Sequence, residues 1–519
     1  MTFLAPLALV FPLLAGWVIV GLLFDARSAA SRLVLTTLVI GVGFAVFSGL
    51  TLVLLLIFGP SQNALVAIEA ILGAAIVLYK IRLYKIRIDR RRHLGETRGA
   101  APAQEAGPVE EAAAPTGEPP AVRILSLCFY LVLAASSVTF LVLLIRAPHG
   151  GWDAWAIWNL KARYIFRGGA NWKNAFSSVL SFSHPDYPLL IPLSVAGSWI
   201  LLGTDTPIVP GAISFIFTFA TVILLSSSLT ILRSRGQGYA AGLALLGSSL
   251  FIVEGSHQYA DAPAAFFYLA AAVLLALYDA ASRPDKRLLV LAGVVAGFAA
   301  WTKNEGTLFL VAITASRLLI GFRGKPLTAH LKETIPVLMG AAPAVVLLLI
   351  FKTQVAGAAN DILSERLVAG APTDVLSTLS PLQKLLSPAR YSQTANAFLL
   401  EMWRFGGWTV SVMILLAAYL GALGVSVAGS NRRTINTLVC ILSIMMAGLF
   451  FVFILTPYDL SWHLTSALPR LLLQLWPSFL LTFFLVARTP EKALAARTPQ
   501  QRRQEYAGGI TVSTNEGAK

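Results

Sequence analysis

The sequence predicts an all-α polytopic membrane protein of about 13 transmembrane helices, with an external first loop that carries juxtamembrane helices. Three observations predict it. Of 519 residues, 56% are apolar and 13% charged, with a mean hydropathy of +0.73, a balance foreign to ordinary soluble domains. Many apolar runs approach or reach the roughly 20 residues that cross a bilayer as helix. Lys and Arg fall mainly in short clusters between those runs, as they do when cations anchor the cytoplasmic ends of helices. That clustering also argues against nucleic acid as the partner of the +15 formal charge. Cys128 and Cys440 both lie inside apolar runs and read as small core residues, not as a disulfide or metal pair.

The first run, Phe3 to Phe24, has no basic residue before it and Arg27 and Arg32 after it. It reads as a retained span with its N-terminus outside. Leu33 to Phe58 and Leu65 to Tyr79 follow. The third run leads into Lys80, Arg82, Lys85, Arg87, Arg90, Arg91 and Arg92, which mark that exit as cytoplasmic. Residues 1–93 thus form a three-span N-terminal unit with a basic cytoplasmic end. Over residues 94–121 the composition turns to Ala, Pro, Gly and Glu without apolar periodicity. Such a segment buries too little surface to offset chain entropy, so a disordered cytoplasmic linker is expected there. The main membrane domain, 122–487, opens with Ile124 to Ile145, which carries the chain outward to His149.

Leu189 to Leu202 decides the topology. It is about 14 residues, roughly 21 Å as helix, short of a full span. If it crossed, the later clusters at Arg233 and Arg235, at Arg283, Lys286 and Arg287, at Arg323, Lys325 and Lys332, and at Arg432 and Arg433 would all lie outside. If it stays in the outer interface, all of them are cytoplasmic, and the second choice is taken. The later spans then run Ile208 to Leu232, Tyr239 to Val253, Ala264 to Ala280, Leu288 to Trp301, Thr307 to Ile320, Ile335 to Phe351, Trp408 to Val427, Ile435 to Leu455 and Leu471 to Val486, before a disordered cytoplasmic tail, 488–519. The longer external stretch Lys352 to Gly407 has room for a short helix or two. The polar clusters all face one side.

The most polar of them runs from His149 to Pro192. Asp153 starts a segment of helical periodicity, with Trp155, Trp158, Ala162 and Ile165 on one stripe and Asn159, Arg163 and Arg167 on another. Asp153 fits either a helix N-cap or a general base beside an aromatic wall with the cations Lys161 and Arg163. Trp172 to Ser181 reads as an amphipathic helix lying on the membrane. His184-Pro185-Asp186-Tyr187-Pro188 is a turn stiffened by two prolines; His184 and Asp186 keep open a role in the site. Asp261 heads a later span, where a carboxylate is costly unless solvated or paired. Lys303 and Glu305 sit between two short runs and either pair with each other or leave Lys303 to meet a phosphate. His463 and Arg470 lie in the last external segment. Arg470 suits an interfacial anchor or a planar partner for phosphate. No metal-ligand spacing, Walker loop or dinucleotide glycine loop occurs, so no cofactor is expected and a divalent metal has no support from ligand spacing.

With an acidic residue in the first large external loop (Asp153), a Pro-rich turn closing that loop (His184 to Pro188), Tyr-x-Asp-x-Pro heading a later span (Tyr259 to Pro263) and a Thr-Lys-x-Glu-Gly turn (Thr302 to Gly306), the chain resembles the C-type superfamily of integral-membrane glycosyltransferases. The resemblance is to the branch of lipid A aminoarabinose transferases, protein O-mannosyltransferases and rhizobial lipopolysaccharide-core transferases. It covers about Leu125 to Ile320. Many relatives have Asp-Glu where this chain has Asp153-Ala154, and a Lys-Pro-Pro-Leu-like turn where it has His184-Pro-Asp-Tyr-Pro. The resemblance implies an inverting hexosyl or pentosyl transfer from a polyprenyl-phosphate sugar to a lipid, glycan or protein acceptor on the periplasmic or external face of a bacterial inner membrane. Asp153 and Asp261 would be catalytic. Lys161, Arg163, His184, Asp186, Lys303, Glu305, His463 and Arg470 would bind substrate, with Lys303 and Arg470 stabilising the departing phosphate. The competing expectation is a transporter or flippase of lipid-linked glycans, which would place paired charges near mid-membrane.

Overall fold

The computed structural model describes residues 7–98, 119–320, 327–356, 379–427 and 431–495. Among them there is no strand, only an isolated bridge between Val425 and Ala487. The N-terminal unit is α1 (Leu7–Leu23), α2 (Ala29–Phe58) and α3 (Gln62–Arg98), followed by α4 (Pro120–Arg146). The loop read from the sequence as external holds a π-helical turn (Ala154–Trp158), α5 (Asn159–Arg167) and two 3₁₀ helices (Gly169–Phe176 and Ser178–Ser183). Then come α6 (Leu190–Leu202), α7 (Ile208–Leu232), α8 (Arg235–Leu246), α9 (Ser249–Ser256), α10 (Asp261–Ala280), α11 (Lys286–Thr302), α12 (Asn304–Leu319) and α13 (Leu327–Gln354). The last are α14 (Pro381–Leu385), α15 (Pro388–Arg404), α16 (Val412–Leu423), α17 (Arg432–Leu455), α18 (Leu460–Val486) and α19 (Pro490–Ala495). The linker expected over 94–121 lies mainly outside the described residues, although α3 continues as helix through Arg98. The tail expected to be unstructured from 488 opens with α19.

Eight helices are long and apolar enough to cross a membrane, and up to ten spans result if each of two bent pairs counts as one. The expected count of about 13 is higher because α1, α11 and α12 have 17, 17 and 16 residues and fall short of a full span by length. The run read as Tyr239 to Val253 is broken; the run read as Trp408 to Val427 holds α16, and the α15 segment lies ahead of it, in the stretch expected to have room for a short helix or two. α8 and α9 meet at 63°, and the α15 segment meets α16 at 76°. The two breaks touch, with the hydroxyls of Ser248 and Ser249 donating to the Gly406 carbonyl at 3.3 and 3.4 Å. Irregular backbone at such depth is tolerated where protein buries it.

α10 is the central helix, buried along almost its whole length. α11 and α13 cross closely because a side chain at Gly293 would meet the Val337 carbonyl at 1.9 Å, and one at Gly340 the Val290 carbonyl at 2.0 Å. α3 and α4 instead expose Ile71, Leu78, Ile124, Leu127, Leu131 and Ile145, the surface that acyl chains would cover.

The bundle has two chemically distinct ends. At the basic end Arg287 donates to the Leu22 carbonyl at 3.4 Å, and Arg233 to the carbonyls of Ser426 and Ala487. Asp279 there pairs with Arg317 at 2.9 Å and Arg433 at 3.7 Å, and Arg433 also pairs with Glu333. The opposite end gathers the external loop, the starts of α10, α12 and α18 and the ends of α9 and α13. α6 stays in this half. It lies across α2, accepting from Ser48 through the Leu189 carbonyl and donating from Ser194 to the Phe44 carbonyl, while its Leu201 carbonyl accepts from Gln62 at the head of α3. With 13 residues it is shorter than a full span.

Candidate active site

Asp153 is placed by a backbone clamp. The Gly151 N–H donates to the His257 carbonyl at 3.0 Å, and Asn159 donates to the Gln258 side chain at 2.9 Å. Gln258, at φ +62°, donates in turn to the Pro148 carbonyl at 3.1 Å. Gly151 has to be glycine, because a Cβ there would lie 2.3 Å from the Tyr259 hydroxyl oxygen. Asp153 itself is helical (φ −64°, ψ −27°) and makes no cap hydrogen bond, so the N-cap alternative falls away. Its Oδ2 meets Arg470 Nη1 at 2.5 Å.

Behind this pair lies a second one. Asp261, in the first turn of α10 where the helix dipole favours a carboxylate, accepts from Lys303 at 3.0 Å and from Gln474 at 2.6 Å. Arg470 stands 3.9 Å from its other oxygen. Arg470 and Gln474 share a face of α18 at i, i+4 spacing, and the Gln474 carbonyl accepts from Tyr268 at 3.3 Å. Lys303 also pairs with Glu305 at 3.2 Å. The turn that carries it closes tightly, since a side chain at Gly306 would meet the Ala299 carbonyl at 1.9 Å. Both alternatives for Lys303 thus have a geometric footing: it pairs with Glu305 and it faces Asp261 and Arg470.

The two pairs differ in depth. The Asp261 and Lys303 side chains are 1% and 9% exposed, those of Asp153 and Arg470 21% and 20%. The upper pair can exchange partners with a ligand, and the lower is placed to position it. Burial pulls the Lys303 ammonium down, but Asp261 and then Glu305 more than reverse this, so its pKa is raised. Burial and the neighbouring Asp153 charge push the Tyr259 phenol up to about 12, which keeps it protonated beneath Arg470, whose guanidinium lies 5.0 Å from its ring centre.

One acidic residue of this region was missed from the sequence. Glu254 ends the run Tyr239 to Val253 and reads there as a loop residue; in the structure its charge reaches Arg470 and Tyr259. Its Oε2 lies 3.5 Å from His257 Nδ1. Gln474 and Tyr268, too, gave no signal inside their apolar runs.

The remaining sequence candidates divide. Asp186, fully buried, pairs with Lys352 at 3.1 Å and accepts from Asn304 at 3.0 Å; it ties the Pro-rich turn to α12 and α13 next to Lys303. His184, at φ +47°, stacks on Tyr187, which stacks on Trp158. His463 bonds Thr456 at 2.7 Å and packs on Phe453 and Tyr458. These form walls beside the ion pairs. Lys161 is buried under Trp158 and Tyr187 and donates to the Ser183 carbonyl. Arg163 lies over Trp199, 3.7 Å from Asp205. Neither joins Asp153, since Lys161 turns to the Ser183 carbonyl and Arg163 to Asp205. The amphipathic helix expected over Trp172 to Ser181 is two 3₁₀ segments broken at Ser177, whose extended backbone and hydroxyl turn the chain. Among the described residues no cluster of His, Cys, Asp and Glu is arranged to hold a metal ion.

Residues 186–352 match the family described as dolichyl-phosphate-mannose-protein mannosyltransferase. The match runs from Asp186 to Lys352 and includes Asp261, Lys303 and Glu305; Asp153 and Arg470 lie outside it. No curated protein and no solved structure matches the chain. The family match supports a glycosyltransferase of the mannosyltransferase type in a multi-pass membrane protein.

Proposed function

We propose that this glycosyltransferase-like chain takes a sugar from a polyprenyl-phosphate donor and passes it, with inversion, to an acceptor hydroxyl at the external end of a bacterial inner-membrane bundle. The observation that carries this reading is the part-exposed Asp153–Arg470 pair standing on the buried Asp261–Lys303 pair. As found, Arg470 and Lys303 are each held by a carboxylate. A donor phosphate that engages Arg470 would release Asp153, so donor binding itself would free the base. Asp153 would then take the acceptor proton while the acceptor oxygen forms the bond to C1 of the sugar. The C1–O bond to phosphate would break, and its electron pair would leave with the polyprenyl phosphate, facing Arg470 and Lys303. Asp261 would act by holding both cations. This modifies the catalytic role expected of it from sequence: at 1% exposure, with Lys303 and Gln474 already on one oxygen, it suits positioning better than contact with the reacting atoms.

A lipid-linked donor fits a site without a nucleotide-binding loop, because lateral diffusion supplies the substrate. The test uses full-length protein in nanodiscs with radiolabelled polyprenyl-phosphate mannose and a membrane extract as acceptor source. The reading requires label in an acceptor and release of polyprenyl phosphate in equal amount. Movement of intact labelled donor between leaflets without release would favour the transporter reading instead.

A further inference from the structure

The basic end of the bundle, remote from the ion pairs of the active site, contains a cavity of about 430 Å³, within the size range of small-molecule sites. Arg233 at the end of α7, Asn431 ahead of α17, and Thr489 and Lys492 around the start of α19 line it together with the apolar Leu232 and Leu277. No carboxylate is among its lining residues. The adjacent Glu491 is taken up by the Ser234 hydroxyl at 2.6 Å and the Gly236 N–H at 2.8 Å, while the Asp279 cluster satisfies its own charges.

Three features leave this cavity short of an anion. Arg233 spends one nitrogen on the carbonyls of Ser426 and Ala487, and its Nε is buried with no acceptor. Burial lowers its pKa, offset in part by the Tyr419 phenol, and no carboxylate contributes. Asn431 is 6% exposed and lines the same cavity. Arg233 and Asn431 thus share one space with the Lys492 ammonium at its rim, and no lining carboxylate balances the two cations. A phosphate oxygen answers all three, because it accepts from arginine, amide and ammonium together. The apolar wall of Leu232 and Leu277, and the exposed Ile231 beside it, suits the glycerol and first methylenes of a lipid better than a solvated ion.

We propose that this cavity binds the phosphate of an anionic phospholipid headgroup, separately from the transfer site. The test is native mass spectrometry of the full-length protein exchanged into phosphatidylglycerol, phosphatidylcholine, or detergent with inorganic phosphate. Wild type should retain one phosphatidylglycerol more strongly than phosphatidylcholine. Lys492→Gln and Asn431→Ala, the first at an exposed position, should each weaken that retention, and together by roughly tenfold or more, as expected for lost charge-assisted and amide hydrogen bonds. Arg233→Lys, which keeps the charge but not the planar donor set, should weaken it as well. Equal retention in wild type and all three variants overturns the site. Retention of inorganic phosphate with no lipid overturns the headgroup as its occupant.

Discussion

Arg470 faces two carboxylates at unequal depth, and the depth decides what each substitution should do. The Asp153 pair is partly solvated, so its contribution to stability is small, at most about 1 kcal/mol. Asp153→Asn should therefore leave the melting temperature close to wild type. Lys303→Met should not, because it leaves the buried Asp261 with only the more distant Arg470 at 3.9 Å, a loss of up to about 3–5 kcal/mol; a thermal-shift measurement in detergent separates the two. Lys303 has a folded pKa above its ordinary 10.5. Its stabilisation is thus fully present below the unfolded value and is lost only as pH rises through the raised folded one, so stability should show no Lys303 titration from neutral to mildly alkaline pH. These charged residues were legible because charge inside an apolar chain is expensive and stands out. Glu254 was not, since it sits one residue beyond a run taken to end at Val253. Lys161 and Arg163 stand on the same short stretch as Asp153, but nearness in sequence does not bring their side chains to it; they turn to Ser183 and Asp205.

At the level of elements, runs of apolar residues mark where helices lie, but hydropathy carries no signal for a bend inside such a run. Gly247-Ser248 breaks one of them, Gly406-Gly407 bends the chain between the α15 segment and the next run, and the two breaks pack together. The second break needs positive φ at both glycines, +86° and +71°. Gly407→Ala would impose left-handed backbone on a residue with a Cβ, at roughly 1–2 kcal/mol, and would set that Cβ 2.3 Å from the Ser249 hydroxyl. Its thermal stability should fall by about that amount, whereas Gly421→Ala in α16, where a Cβ meets nothing within 4 Å, should not lose stability. α6 has 13 residues, close to the length read from the sequence, and the labelling experiment below tests whether it crosses.

Across the whole molecule, charge asymmetry carried most of the topology. The basic residues around Arg233, Arg287, Arg317 and Arg433 fall at the end opposite the ion-paired site, which follows if α6 returns to the side it came from. On the positive-inside trend the site is predicted to face outside. With Cys128 and Cys440 replaced by Ser, a membrane-impermeant thiol reagent applied to intact cells should label Val179→Cys, 83% exposed in the external loop, and spare Ser282→Cys between α10 and α11. The reverse pattern would place the site in the cytoplasm. What sequence could not provide is convergence. Asp153 and Arg470 lie 317 residues apart, and only packing of α18 against α10 brings them together.

The central claim is that Asp153 acts as base once the donor has drawn Arg470 away from it. The most direct measurement is single-turnover transfer from polyprenyl-phosphate mannose by Asp153→Asn, with donor affinity measured on the same preparation. The account expects donor binding at least as tight as in wild type and transfer slower by about 10²–10⁴-fold. Wild-type turnover in Asp153→Asn would contradict it.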